Sequence, residues 1–196
     1  ALALTEQGRL PLQGKLADYF PAFGTMQVGV PTADGKYTLE AQKRPILIHD
    51  LFRHTAGMTY GGRPDGGSPI AALWPSGGQA QVMGTAAQMV DNLTKLPLVF
   101  QPGTVFEYSL SFDVLGAVVE KIPGKPLGDH LADTVWKPLK MGDSTFRPTE
   151  AQMARVARPF PNNPLDGKPQ SIDALQSPAT FDCGGGQLTC TLLTGI

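Results

Sequence analysis

The clearest periodic signal along this chain is helical and lies just past its middle. Phe112, Leu115, Val118, Val119 and Ile122 recur at i, i+3, i+6, i+7 and i+10, which makes one apolar stripe. Ser111 is placed to cap this helix, Asp113 falls in its positive first turn and Lys121 in its negative last turn, and Pro123-Gly124 ends it. A shorter helix is expected from Ile48 to His54, with Leu47, Ile48, Leu51 and Phe52 on one face and Gly57 as its stop. Thr85-Ala86-Ala87-Gln88 fits a capping box and starts a helix reaching about Leu93. Further helices are expected from about Pro126 to Trp136 and from a capping-box-like start at Thr149 to Gln152. Lys15 to Tyr19 reads as a short helical segment ended by Pro21.

Strand periodicity is weaker. Met26 to Val30 and Tyr37 to Glu40 flank Ala33-Asp34-Gly35-Lys36, where Asp-Gly predicts a type I′ hairpin turn in a small satellite ribbon. From Tyr60 to Gly84 the chain is rich in Gly, Pro, Ser and Asp, with Trp74-Pro75 embedded; a loop this long points to a functional role such as a lid. Phe160 to Pro169 is a polar loop, and Gly184-Gly185-Gly186 a tight backbone turn.

Composition narrows the function classes. Gly 23 and Pro 18 make about a fifth of the 196 residues, so short elements and long connections are expected. The net charge of -1 and scattered basic residues give no attraction to nucleic acid or an anionic membrane. No apolar run approaches the roughly 18 residues of a membrane span, and Ala1-Leu2-Ala3-Leu4 is too short for a signal peptide. Cys183 and Cys190 have no accompanying ligand pattern for zinc and read as two small buried thiols. Gly184-Gly185-Gly186 lacks the Lys-Ser/Thr of a phosphate loop, and no Gly-x-Ser-x-Gly elbow is present. His49 and His130 read as surface residues. Ala1 to Leu10 reads as the last turns of a helix stopped by Gly8, and Leu192 to Ile196 as an apolar segment without a closing signal, so both ends look cut.

The strongest chemical signal is Tyr108, set on a Pro102-Gly103 turn just ahead of the main helix. Phe106-Glu107-Tyr108-Ser109-Leu110-Ser111-Phe112-Asp113-Val114-Leu115-Gly116 resembles the second active-site motif of the serine β-lactamase-like and penicillin-binding-protein-like hydrolases. Further blocks occur in that family's order: Glu6 to Leu12, Ile48 to Met58 with His54-Thr55-Ala56-Gly57-Met58, Pro138 to Phe146, and the late glycines. The resemblance implies an α+β layout, often filed as α/β: an antiparallel sheet flanked by helices, plus an all-helical region bearing the tyrosine. Residues 1–196 would be a single partial domain, mostly that helical region with small β elements and long loops.

The resemblance also implies a mechanism. A tyrosine phenol ordinarily ionises near pH 10, so as a general base it needs a nearby cation. In this family that cation is the lysine of Ser-x-x-Lys, one helical turn after the nucleophile. Tyr108 would be the catalytic tyrosine, taking the serine proton and returning it to the leaving group. Ser-x-x-Lys occurs nowhere in these residues, nor does the Lys-Thr-Gly-like strand that completes the oxyanion hole. A missing segment or a second chain would supply the nucleophile. Leu110 stands where β-lactamases and D,D-peptidases carry an amide-binding asparagine, which points to the carboxylesterase branch and short-chain esters. β-Lactamase or D,D-peptidase activity, and a catalytically inactive interaction module, remain the alternatives. The candidate substrate-binding residues are Trp74, Leu110 and Gly185, with Trp74 either lining an acyl pocket or pinning its loop. His54 takes a structural, hydrogen-bonded place near its helix end. The expected partner is a small-molecule ester, with no cofactor, metal, nucleic acid or membrane.

Overall fold

The computed structural model describes residues 1–61, 68–75, 84–156, 160–169 and 182–185, and the longest helix described lies at their centre. Among the described residues six α-helices run in the order α1 Leu2–Glu6, α2 Ile48–Phe52, α3 Ala86–Leu93, α4 Ser111–Lys121, α5 Leu127–Leu131 and α6 Glu150–Met153. Strands β1 Gln27–Pro31 and β2 Tyr37–Ala41 pair antiparallel, with Gln27 opposite Ala41 and Pro31 opposite Tyr37.

Helix α4 packs against α2, α3 and α5. Enclosure on three sides buries it well beyond the predicted stripe: Ser111 and every residue from Asp113 to Val119 are buried. Phe112, the first member of the stripe, is instead exposed. A close backbone crossing adds to the enclosure, since a Cβ at Gly116 would lie 3.0 Å from the Gly184 backbone. The core then extends through Leu51, Met58, Met89 and Leu93 to Leu98.

Local signals set most element boundaries. The Thr85 hydroxyl accepts the Gln88 N–H at 3.2 Å while the Gln88 side chain accepts the Thr85 N–H at 2.8 Å, closing the expected capping box of α3. The same reciprocal pair between Thr149 and Gln152 opens α6. Gly8, at φ +70°, lets the Arg9 N–H reach back to the Leu4 carbonyl and close α1.

Several expectations are corrected. Ser111 does not cap α4; Leu110 occupies that place without a side-chain cap, and the Ser111 hydroxyl lies 2.8 Å from that of Ser109. Helix α2 ends not at Gly57 but at Phe52, where His54 takes the left-handed conformation (φ +52°) and the Thr55 N–H bonds the Asp50 carbonyl. The hairpin is not type I′, because only Gly35 has positive φ; a Thr32–Gly35 turn ends in that left-handed glycine, and the Thr32 N–H bonds the Lys36 carbonyl. The ribbon is also tied to the core, with the Gly29 N–H donating to the Leu98 carbonyl and Ile70 packed where a Gly29 side chain would be. The helix expected through Trp136 loosens into a π-helical turn over Ala132–Trp136, where the Thr134 hydroxyl bonds the His130 carbonyl. His130 is buried, sharing the inner face of α5 with Leu127. Much of the expected lid, residues 62–67 and 76–83, lies outside the described residues, as do Gly186 and Cys190.

Candidate active site

Tyr108 is 59% exposed, yet the turn carrying it is held from behind by buried polar groups. His54 is the first support. Its ring lies beneath Tyr108 with centroids 4.6 Å apart and beside Phe112 at 4.8 Å. Its carbonyl accepts the Glu107 N–H at 2.9 Å and its Nδ1 accepts the Ser109 N–H at 3.2 Å. One main-chain bond therefore falls on each side of the tyrosine. Accepting at Nδ1 requires the neutral ring with its proton on Nε2. Burial lowers the His54 pKa and so favours this neutral form. A left-handed His54 is what turns the ring from the end of α2 toward Tyr108.

The second support is a buried carboxylate that sequence reasoning missed. Asp50 is fully buried and receives Arg44 Nη1 at 2.7 Å, Arg44 Nη2 at 2.8 Å, the Leu47 N–H at 2.9 Å and the Thr55 hydroxyl at 2.9 Å. Burial pushes the Asp50 carboxyl up, but Arg44, the Leu47 amide and Thr55 together outweigh it and leave the carboxyl below its usual range. Thr55 in turn accepts the Gly103 N–H through its carbonyl at 2.7 Å. Gly103 sits at φ +83° under the Arg44 guanidinium, where a Cβ would fall 1.7 Å from Nη2. The Pro102-Gly103 turn is thus clamped by the network centred on Asp50.

The four candidate residues fall into two groups. Tyr108 is exposed, and Gly185 donates its N–H to Asp113 Oδ1 at 3.0 Å, which joins the late glycine turn to the first turn of α4. Trp74 and Leu110 are buried, at 3% and 0% exposure. Trp74 pins its loop: Nε1 donates to the Pro97 carbonyl at 2.8 Å, and its own carbonyl lies against Gly61. Leu110 turns inward because it precedes the buried α4. Asp113, read from sequence as a helix-dipole residue, is a buried carboxyl whose Oδ2 has no hydrogen-bond partner among the described residues; burial raises its pKa, which the Gly185 bond partly offsets. Burial also pushes the Cys183 thiol up to about 12, with Asp113, Asp182 and Glu120 adding to the effect. Among the described residues no group of three or more His, Cys, Asp and Glu is placed to hold a metal ion.

Tyr60 was also missed. Its ring lies 5.4 Å from that of Tyr108, at 36°. The signal for it was faint, a tyrosine opening a Gly-rich loop forty-eight positions upstream of Tyr108.

An exposed tyrosine ahead of a buried helix, braced by a His-Thr-Ala-Gly segment, places the chain among the serine β-lactamase-like and penicillin-binding-protein-like proteins. The chain belongs to the Beta-lactamase family, whose profile matches residues 1–191. It is similar to esterase EstB of Burkholderia gladioli, at 32% identity over 180 residues, 90% of this chain and 42% of that protein. It is also similar to the lovastatin esterase of Penicillium rubens, at 30% identity over 167 residues, 85% of this chain and 40% of that protein. The fold matches simvastatin synthase LovD from Aspergillus terreus with a TM-score of 0.73, at 23% identity, over 95% of this chain and 46% of that one. The β-lactamase/transpeptidase-like fold expected from sequence is the one found, mostly helical with few strands. The chain spans less than half the length of these curated relatives.

Proposed function

We propose that these residues form part of a serine hydrolase that cleaves short-chain carboxylic esters through an acyl-enzyme, with Tyr108 as its proton shuttle. The observation that carries this reading is an exposed phenol on a turn fixed by a buried His, a buried Asp–Arg pair and main-chain bonds on both sides. A surface tyrosine without a chemical task needs no such scaffold. The nucleophilic serine and its lysine would come from outside these 196 residues, so the chain alone should be inactive. In the reaction, the serine Oγ–H proton passes to Tyr108 as Oγ attacks the ester carbonyl. Tyr108 then returns that proton to the departing alkoxide, and water hydrolyses the acyl-enzyme by the same relay.

Leu110 favours esters over amide-bearing substrates. At the third motif position it offers neither donor nor acceptor, and its side chain is buried. The test is Tyr108→Phe in the intact enzyme, assayed on a p-nitrophenyl ester. The expected result is a kcat at least ~100-fold lower, the scale of lost general-base catalysis, with stability unchanged. Near-full activity would remove Tyr108 from the mechanism. Nitrocefin turnover exceeding ester turnover would move the protein to the β-lactamase branch. Absence of any adduct after fluorophosphonate treatment would select the inactive interaction module.

A further inference from the structure

We propose that His54 is a positioning residue for Tyr108 and a proton-operated latch on its turn: the neutral ring holds the turn through Nδ1, and protonation there releases the main-chain bond just after the tyrosine. The proposal rests on the reading of Tyr108 as proton shuttle and gives that site a pH dependence that does not come from the phenol.

Two bonds from one residue hold the turn, and only one of them can titrate. The Ser109 N–H donates to His54 Nδ1 at 3.2 Å, and both residues are buried, so water is a poor substitute for that acceptor. On the other side of Tyr108 the Glu107 N–H donates to the His54 carbonyl at 2.9 Å, a bond that no protonation touches. The ring lies between Tyr108 and Phe112, with centroids 4.6 and 4.8 Å away, which fixes where Nδ1 points. The left-handed backbone of His54, at φ +52°, lets ring and carbonyl reach the same turn.

An imidazolium carries hydrogen on both ring nitrogens and accepts at neither. The Ser109 N–H then meets another N–H, and turning the ring over cannot restore the bond. The acceptor that the described residues place beside the new proton is the Ser109 hydroxyl oxygen, 3.4 Å from Nδ1 and paired with the buried Ser111 hydroxyl at 2.8 Å. Drawing the ring toward that oxygen exchanges a main-chain bond for a side-chain one. Tyr108 stays anchored at Glu107 and loses its anchor at Ser109. The titratable groups on the tyrosine side are Tyr108 and Glu107 in the turn, Tyr60 beside Tyr108, and Asp113 in the first turn of α4. On the His54 side they are His49, Asp50 and Arg53 of α2 and its end, with Arg44 on Asp50. The Glu107 carboxylate accepts from Thr59, and that of Asp50 from Arg44 and Thr55. Burial lowers the His54 pKa, so the latch is closed at neutral pH and opens on the acid side of the ordinary histidine value.

The experiment compares wild type, His54→Asn and Tyr108→Phe in the intact enzyme by kcat/KM–pH profiles for ester hydrolysis, beside a nitrogen-15 NMR titration of the wild-type histidine rings. Asparagine tolerates the left-handed backbone and offers an oxygen acceptor near the place of Nδ1, but takes up no proton in this range. In the wild type kcat/KM should fall about tenfold per pH unit below the His54 titration. In His54→Asn that acid limb should move to lower pH by at least about one unit. The His54 Nδ1 resonance should be that of an unprotonated nitrogen at about pH 7.5 and should titrate together with the Ser109 amide at the midpoint of the acid limb. An unmoved limb in His54→Asn, beside an inactive Tyr108→Phe, overturns the latch and leaves the site reading intact. The NMR titration needs no variant and decides the case if His54→Asn fails to fold: a protonated Nδ1 at about pH 7.5, or a Ser109 amide that does not follow the ring, overturns the latch. Full activity in Tyr108→Phe overturns both.

Discussion

Replacing Arg44 by Met tests whether the Asp50 network supports the tyrosine turn. The two partners are unequally placed: the Arg44 side chain is 35% exposed, whereas that of Asp50 is 0% exposed. Arg44→Met removes two charge-assisted bonds from a carboxylate that cannot reach water. Each such bond contributes roughly 1.5–3 kcal/mol. Breaking a buried pair costs roughly 3–5 kcal/mol, and the partial hydration already open to Arg44 brings the expected loss to about 3 kcal/mol. Asp50→Asn should cost less, about 1–2 kcal/mol, because an Asn oxygen can still accept the Leu47 N–H, its NH2 can donate to the Thr55 hydroxyl in place of the other carboxylate oxygen, and Arg44 can turn to solvent. The pH dependence separates the variants further. In the wild type the Asp50 pKa is lowered, so its stabilisation is present above the unfolded carboxylate value and lost only as pH falls through the still lower folded value. Without Arg44, burial dominates and the folded pKa rises above the unfolded one, so stability is lost as pH rises from about 4. Urea melts of the intact protein at about pH 5 and pH 7.5 should therefore show the gap between wild type and Arg44→Met widening at the higher pH. A gap below about 1 kcal/mol and equal at both values would refute this account of the clamp.

Four other outcomes follow from the same geometry. Gly103→Ala should destabilise by about 2–4 kcal/mol, combining left-handed strain with displacement of Arg44. Gly124→Ala is its control in urea melts: at φ +69° a Cβ there meets nothing within 4 Å, so only the strain of about 1–2 kcal/mol remains. Trp74→Phe should cost about 1–3 kcal/mol by leaving the Pro97 carbonyl without its donor, read by the same melts. Cys183, buried and raised to about 12, should resist iodoacetamide at pH 8 in the folded protein and react in urea, as checked by peptide mass mapping.

The parts of the fold legible in the sequence are those written in neighbouring residues. The capping boxes at Thr85 and Thr149, the left-handed Gly8 and the stripe of α4 each depend on side chains within a turn or two of one another. Where the linear reading failed, a distant segment changed the local answer. Ser111 looked like a cap, but its hydroxyl pairs with Ser109 in the support under Tyr108. Gly57 looked like the stop of α2, but Thr55 and His54 end it earlier in order to meet Asp50 and the tyrosine turn. The burial of Trp74 and Leu110 also lay beyond the linear reading, because sequence position says nothing about which way a loop or helix cap faces.

The sequence alone determined the family, the helical framework and the identity of the exposed tyrosine, because motif spacing and helical period are local properties of the chain. Only the tertiary structure decided what holds that tyrosine. His54, Asp50 with Arg44, and Tyr60 act through contacts between segments that lie far apart along the chain or share no periodic signal. A buried carboxylate and a neighbouring phenol acquire their chemistry from desolvation and from which charges face them. Both quantities exist only once the chain has folded.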